Sequence, residues 1–212
     1  MKYYLKGVVK KILSRIQKRK SYALNEMDLK LEKYLNFDSG FFIEAGANDG
    51  ISQSNTLYFE KYRNWHGILI EPIPELAEKC QLFRTGSKVV NCALVPFGYD
   101  SKKIEMRYCG LMSLVKGAMR SENEENEHLE RGLTIQSGIE ETYKIEVPAK
   151  TLTSVLKEIK VKTIDLLSLD VEGYELNVLK GLDFDEFKPR YILVEARYRE
   201  EIEAYLSEYY YP

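Results

Sequence analysis

The chain has 212 residues, 44% of them hydrophobic, and a formal net charge of −2. This size fits one medium domain with a sizeable core, which excludes global disorder. The first twenty residues hold eight Lys or Arg and no acid, whereas the remaining 192 carry 23 basic and 33 acidic side chains. The acidic body of the chain lacks the basic stripe that is typical of nucleic-acid binders, so we expect no nucleic-acid partner.

The cysteines give a second constraint on function class. Cys80, Cys92 and Cys109 are odd in number and form no CxxC pair. This spacing indicates neither a zinc knuckle nor a disulfide framework. A reducing cytoplasm is therefore the expected location.

The basic N-terminus predicts an amphipathic helix. Its apolar face would be formed by residues at spacings of three and four, namely Leu5, Val8, Ile12 and Ile16. No apolar run approaches the ~18 residues of a membrane span. Two interpretations stay open for residues 1–20: a leader that is solvated or packed on the domain, and a peripheral contact with the anionic inner face of a membrane. We divide the chain into this basic helical segment, residues 1–35, and a domain over residues 36–212.

Apolar runs alternate with helical patterns in the first half of the domain. Three runs predict strands, over residues 41–47, 66–72 and 88–95. Two segments between them predict helices, over residues 52–64 and 74–84, with Pro74 suited to a first helical turn. This order predicts a parallel sheet covered by helices on both faces.

The second half continues the pattern less regularly. Residues 102–108 and 143–151 alternate like strands and are expected to form an antiparallel pair. Between them, residues 121–141 are acidic and poor in core residues, which predicts a mobile insertion that acts as a lid. Further helices are predicted over 154–160, 174–182 and 199–210, with Gly181 ending the second of them. Further parallel strands are predicted over 163–173 and 191–196.

Acidic residues follow the ends of four of the five predicted parallel strands. They are Glu44, Asp49, Glu71, Asp170, Glu172 and Glu195. One acid at a strand end commonly caps the next helix, but open α/β sheets bind ligands at this edge, so the convergence predicts a site. Clustered carboxylates would repel a phosphate, and no GxxxxGK(S/T) sequence is present.

The turn "GANDG", residues 46–50, also disfavours a dinucleotide. It lacks the second glycine that lets backbone approach a pyrophosphate. A cationic nucleoside fits better, since S-adenosylmethionine carries a sulfonium, an ammonium and a ribose diol but no phosphate. Glu71, 25 residues beyond Gly46, lies where an acid accepts ribose hydroxyls. Gly46 is expected to let backbone approach the methionine part, and Glu44 to help hold its ammonium group.

Three motifs, taken together, match a known family. They are "FFIEAGANDG" (41–50), "LIEP" (69–72) and "IDLLSLDVEGYELNVLKGL" (164–182). Over about residues 40–196 the chain resembles the FkbM family of S-adenosylmethionine-dependent methyltransferases. In that family a D/E-x-G-A-N-x-G motif precedes a strand ending in E-P, and a later strand ends in D-x-E-G-x-E.

The resemblance implies an α/β, Rossmann-like methyltransferase fold, with a mostly parallel sheet and helices on both faces. The usual C-terminal antiparallel strands have no counterpart in the pattern, so we expect either a naturally shortened sheet or a sequence that is part of a longer chain. The motifs and strand ends together give the expected cofactor contacts: Glu44, Gly46, Asn48, Asp49, Gly50, Glu71, Pro72, Asn91 and Ala93.

Methyl transfer to a hydroxyl requires alignment and a base that takes the proton. Asp170 ends the fourth parallel strand, where this fold places its acceptor, so it is the first candidate for base or metal ligand. Glu172 could share either role, because paired strand-end carboxylates can bind a divalent metal. Glu195 is a third catalytic candidate. For each of these acids the alternative is a purely structural role, such as a helix cap.

The two histidines are expected to have different roles. His66 is expected to be a surface or packing residue. His128 lies in the predicted insertion, where a closing lid could bring it to the acceptor as a catalytic group; the alternative is a solvated loop histidine. The tyrosine-rich C-terminus could stack on a sugar ring or pack the last helix.

The sequence thus predicts a cytoplasmic enzyme that moves a methyl group from S-adenosylmethionine to a hydroxyl, with a carbohydrate or glycan as the favoured acceptor. A divalent metal is an additional expected cofactor. The alternatives are a polyketide or other small-molecule hydroxyl as acceptor, a non-catalytic binding module on the same fold, and a metal-dependent enzyme of another class.

Overall fold

The computed structural model describes residues 20–138 and 141–210. The predicted N-terminal helix lies outside the described residues except for Lys20, so its membrane contact stays a prediction. The strands of the described part are β1 Phe41–Ala45, β2 His66–Ile70, β3 Lys88–Val90, β4 Ala93–Leu94, β5 Lys103–Tyr108, β6 Leu114–Val115, β7 Tyr143–Lys150, β8 Leu166–Leu169 and β9 Tyr191–Val194. The α-helices are α1 Met27–Leu31, α2 Leu57–Arg63, α3 Pro74–Phe83, α4 Glu122–Ile135, α5 Leu152–Ile159, α6 Glu175–Leu179 and α7 Arg199–Leu206.

Five strands form a wholly parallel sheet in the order β3-β2-β1-β8-β9. The chain moves outward from β1 to β3 and then returns to the other side of β1, so strand order reverses between β1 and β8. Ala45 pairs with both Ile70 and Leu169, which aligns the carboxyl ends of three strands. The predicted α/β fold is confirmed, and a reversal of this kind opens a crevice for ligands at the carboxyl edge.

A second, four-stranded sheet has the order β4-β7-β5-β6. The predicted antiparallel pair is confirmed, because β5 and β7 run antiparallel from Lys103 opposite Pro148 to Tyr108 opposite Tyr143. The prediction of one strand over residues 88–95 is wrong. The chain leaves the first sheet at Asn91, whose side-chain amide donates to the carbonyls of residues 71 and 72 at 2.9 Å each, and β4 then joins the second sheet.

The predicted mobile insertion is also corrected. Residues 122–135 form helix α4, and Ser121 caps it by accepting the N–H of Glu124. Its buried residues are Glu125, His128, Leu129 and Gly132, the spacing of one helical face. Of the predicted insertion, residues 139–140 lie outside the described part.

Two hydrophobic clusters cover the faces of the parallel sheet. The larger cluster packs the second sheet and helices α5, α6 and α7 against one face of the parallel sheet. The smaller cluster contains Phe42, Tyr58, Phe59 and Trp65 and lies on the other face. Leu35 is fully buried in the smaller cluster, so the described part of residues 20–35 packs on the domain. Gly181 does not adopt a left-handed conformation; a Cβ there would overlap the carbonyl oxygen of Val95.

The C-terminal tyrosines pack against the domain. Tyr209 stacks on Phe184 with ring centroids 4.2 Å apart, and the Tyr210 hydroxyl donates to the Pro189 carbonyl at 2.7 Å. These contacts support the packing interpretation. Among the described residues no strand follows β9, and no described helix has the length and apolar character needed to cross a membrane.

Candidate active site

A cavity of about 430 Å³ opens at the carboxyl ends of β1, β2 and β8, where strand order reverses. This volume falls within the ~300–1,000 Å³ of small-molecule sites. The glycine turn and Glu71 line one half, and the residues after β8 and β9 line the other, together with the turn 110–113 and His128 of α4. The cavity therefore brings the two groups of predicted site residues together.

The glycine turn is clamped between neighbouring strands. The backbone N–H groups of Gly46 and Ala47 donate to the Ile70 carbonyl at 3.0 and 3.2 Å. Gly46 has φ +81°, and a Cβ there would overlap the carbonyl oxygen of Asp170. A glycine is thus required by the approach of the β8 end, which brings Asp170 beside the turn.

Glu44 is held by a network of donors within the chain. Its carboxylate is 4% exposed and accepts from the Ser54 hydroxyl, the Asn55 N–H at 2.8 Å and the Thr56 hydroxyl at 2.6 Å. Nη1 of the buried Arg84 lies 3.4 Å from Glu44 Oε2. These donors occupy both oxygens, so Glu44 positions the 54–56 turn; Glu44 also lines the cavity, and its contact with the ammonium group stays a prediction. The same turn explains why the predicted 52–64 helix begins only at residue 57.

Three of the predicted cofactor contacts, Asp49, Gly50 and Asn91, do not line the cavity. Asp49 accepts from the N–H groups of Ile51 and Ser52 at 2.8 and 2.7 Å, which makes it a local turn cap. A Cβ on Gly50 would lie 2.9 Å from Arg84 Cγ, so that glycine serves packing. Asn91 holds the turn after β2. The other predicted contacts line the cavity: Glu44, Gly46, Asn48, Glu71, Pro72 and Ala93.

Glu71 presents a buried carboxylate at the end of β2. It is 4% exposed and accepts the N–H groups of Asn48 at 2.8 Å and Ile73 at 2.9 Å, one on each oxygen. Burial raises the pKa of Glu71 to about 7, against the effect of these two hydrogen bonds, and nearby Asp49 adds to the rise. Each oxygen keeps a second acceptor position for a ligand hydroxyl.

Acids gather on the other side of β1. Burial, followed by the charges of Glu195 and Glu172, raises the pKa of Asp170 well above its usual range, and the Asp170 and Glu195 carboxyl groups share a hydrogen bond. Burial and then Glu195 raise the pKa of Glu172 to about 7, with Arg197 opposing the shift. Like charges at close range favour uptake of a shared proton, so this cluster can receive a proton near neutral pH.

His128 is neither a solvated loop residue nor a free base. It is 2% exposed, its Nε2 lies 3.1 Å from the Met112 carbonyl oxygen, and its Nδ1 lies 2.9 Å from Arg197 Nη2. Arg197 can only donate, so Nδ1 must accept and Nε2 must carry the proton. Burial, followed by the charge of Arg197, lowers the pKa of His128. The neutral imidazole therefore orients Arg197, and the catalytic role of His128 stays a prediction.

Two cations at the site were missed from the sequence. Arg197 lies three residues beyond β9, and its Nη2 is 3.9 Å from Glu172 Oε2. Its position in the sequence, just after a predicted strand that ends in an acid, could have indicated that it lies at the site. Arg84 was not detectable, because nothing in its local pattern marks it as fully buried. His66 is exposed and packs edge-on against Phe41, in line with the surface or packing role expected for it.

The geometry gives no support for a metal at Asp170 and Glu172. Within residues 20–138 and 141–210, no group of three or more His, Cys, Asp or Glu side chains is arranged to hold a metal ion. The pKa values of both acids are raised, by burial and then by neighbouring carboxyl groups. We derive no step through a metal.

Comparison with known proteins identifies the family. The methyltransferase FkbM domain matches residues 44–211. "Methyltransferase 1" of Beauveria bassiana (strain ARSEF 2860) is 28% identical over 155 residues, covering 69% of this chain and 59% of that protein. "Methyltransferase sdnD" of Sordaria araneosa is 29% identical over 194 residues, covering 79% of this chain and 72% of that protein. The chain thus spans less than two thirds of the first relative's length, and no solved structure gave a significant match.

Proposed function

The chain belongs to the methyltransferase FkbM family, and on that premise we propose that it is an S-adenosylmethionine-dependent O-methyltransferase. One observation carries the proposal. Glu71 and Asp170 end the two strands that flank β1, and both line the same cavity. A hydroxyl-binding carboxylate and a proton-accepting carboxylate therefore lie on the two sides of one ligand site.

The residues present fit S-adenosylmethionine. The lining is rich in carboxylates, which suits a ligand with a sulfonium and an ammonium and no phosphate. Each Glu71 oxygen can accept one ribose hydroxyl beside its backbone N–H. Next to Glu71 the wall is apolar, with Ile70, Leu76 and Ala93, which suits a flat base. When bound, the cofactor supplies an electrophilic methyl group.

The acid cluster supplies the base. An acceptor hydroxyl is a poor nucleophile at neutral pH, so its proton must leave as its oxygen attacks. The raised pKa of Asp170 makes that carboxylate a stronger base than an ordinary aspartate, and Glu195 shares the proton received. The electrophile for that oxygen would be the methyl group of bound S-adenosylmethionine, with S-adenosylhomocysteine as the leaving group.

Two acceptor classes have a specific observation in their favour. Carboxylates at Asp170, Glu172 and Glu195 offer acceptors for several O–H donors, which favours a carbohydrate. The cavity mouth also carries exposed Leu24, Leu111 and Ile135, which favours an acceptor with an apolar part, such as a polyketide-type small molecule. A panel containing both classes separates them by turnover.

Calorimetry with S-adenosylhomocysteine tests the cofactor half of the proposal. Wild type should bind, and Glu71→Gln should bind about tenfold more weakly or worse, because one acceptor for a ribose hydroxyl becomes a donor. Glu200→Gln, an exposed change on α7, is the control and should bind like wild type. No binding by the intact chain, or equal binding by Glu71→Gln, contradicts the proposal.

Transfer of a labelled methyl group tests the catalytic half. Asp170→Asn should lower kcat by about 10²–10⁴, the usual contribution of a general base, while S-adenosylhomocysteine affinity changes only a few-fold. Cofactor binding without turnover on the whole panel would instead favour a non-catalytic binding module.

A further inference from the structure

A second cavity, of about 260 Å³, lies at the ends of β8 and β9. Asp170, Glu172, Glu195 and Arg197 line both cavities, so the two are adjacent. Glu175, at the start of α6, lines only the smaller one. The steps proposed above for methyl transfer make no use of Glu175.

Glu175 has one satisfied and one unsatisfied oxygen. The residue is 1% exposed, and Oε1 accepts the N–H groups of Gly173 at 2.9 Å and Val171 at 3.3 Å. Oε2 is buried and has no hydrogen-bond partner among the described residues. A buried carboxylate oxygen without a donor is unfavourable, so this atom indicates a donor that comes from outside the chain or a proton on the group.

The charges around the smaller cavity also favour the binding of a cation. Four carboxyl groups face a single guanidinium, and Arg197 already directs Nη2 to His128 Nδ1 at 2.9 Å. Burial is the first cause that raises the pKa of Asp170, Glu172 and Glu175 alike. A cluster that takes up protons when empty will release them to a positively charged ligand.

The size of the cavity selects the kind of cation. One water molecule occupies about 30 Å³ of liquid, so 260 Å³ holds a group of several heavy atoms. No metal-binding arrangement of three or more His, Cys, Asp or Glu exists within the described residues. An ammonium group carries three N–H donors, and here it would meet carboxylates on several sides.

We propose that the acceptor carries a primary ammonium group beside its reacting hydroxyl, and that the ammonium binds in the cavity between Glu175, Glu195 and Asp170. This inference rests on the proposed function and narrows it to amino sugars, aminocyclitols and related amino alcohols. Asp170 lines both cavities, so it can take the hydroxyl proton while the amine lies in the smaller one.

A matched pair of small probes tests the inference. trans-2-Aminocyclohexanol is charged at pH 7.5, and trans-1,2-cyclohexanediol has nearly the same shape without the charge. Calorimetry on the full chain, saturated with S-adenosylhomocysteine, should show the amine binding about tenfold more tightly or better, as expected for a buried charge-assisted hydrogen bond. Repeating the titration in buffers of different ionisation enthalpy should show net proton release.

Variants assign the preference to the cavity. Glu175→Gln should bring the two probes within about threefold of each other, since one charge-assisted acceptor is lost. Glu195→Gln, at a more exposed position, should reduce the preference as well and serves if Glu175→Gln does not fold. Glu200→Gln should retain the full preference.

The outcomes separate the two proposals. Absence of S-adenosylhomocysteine binding overturns the proposed function, whatever the probes do. Normal cofactor binding with equal affinity for both probes overturns the amine inference alone. Mg²⁺ that binds wild type, competes with the amine and loses affinity in Glu175→Gln would assign the cavity to an inorganic cation and also overturn it.

Discussion

Arg84 joins the core behind β1 to the turn that lines the larger cavity, and an Arg84→Ala variant tests that connection. The side chain is fully buried. Its Nε donates to Glu60 Oε2 at 2.9 Å, and Nη1 lies 3.4 Å from Glu44 Oε2. It also donates to the Gly50 carbonyl and the Thr56 hydroxyl, each at 2.9 Å. Truncation therefore leaves two carboxylates without their cation and a buried carbonyl without a donor.

The expected cost follows from the burial of the partners. Removing one member of a buried ion pair costs about 3–5 kcal/mol, because the remaining charge stays desolvated. Glu44 still accepts from Ser54 and Thr56, which places the expected loss near the lower end, at about 3 kcal/mol. For a chain of this size, that loss lowers Tm by about 6–12 °C. Urea unfolding followed by far-UV circular dichroism measures the free energy directly.

A double-mutant cycle identifies the cause. Glu44→Gln removes the charge that Arg84→Ala would strand, so the double variant should be more stable than the sum of the single effects by about 1 kcal/mol or more. Arg63→Ala breaks a partly exposed pair with Glu32 and should cost about 1 kcal/mol or less. Additive effects in the cycle, or an Arg84→Ala cost no larger than that of Arg63→Ala, would refute the reasoning.

Other perturbations test the glycine turn, the histidine and the buried carboxylate. Gly46→Ala should cost far more stability in urea than Gly98→Ala, although both have φ +81°, since only the first Cβ would meet a neighbouring strand; equal costs would contradict this. His128→Ala should raise the acceptor KM by releasing Arg197 without removing a limb of the pH–rate profile, whereas a lost limb would make the histidine a base. Affinity for S-adenosylhomocysteine should fall by up to about tenfold per unit as pH drops below the Glu71 pKa of about 7, because the protonated carboxyl is a weaker acceptor; Glu71→Gln should flatten this dependence.

The sheet was predictable because buried parallel strands are continuous apolar runs, and such runs stand out in a sequence. "FFIEA" and "LLSL" are examples. In both strands consecutive residues are buried, which means that both faces of the strand are covered. Acids placed just after those runs had to meet at one edge once the strands were parallel. The prediction that Glu71 and Asp170 line one site therefore needed no knowledge of side-chain packing.

The errors share a physical cause, which is pairing between distant polar groups. Helix α4 was missed because its buried face includes Glu125 and His128, whose partners lie on other elements, at Gly117 and Arg197. The strand over residues 88–95 was not divided because nothing local shows that Asn91 bonds to the turn after β2. Such pairs require the fold before they can be recognised.

The acids at the carboxyl edge can now be separated by how their charge is satisfied. Glu44 is neutralised from inside the core by Arg84, and Glu71 is held by two backbone N–H groups. Asp170 has neither kind of partner among the described residues, and the charges that raise its pKa are those of other carboxyl groups. Of these acids, only the one on the β8–β9 side of the cavity therefore has a charge that neither a cation nor a backbone N–H group stabilises. In the proposed function, the proton-accepting step therefore lies on that side, and the Glu71 side is the one that binds and orients the methyl donor.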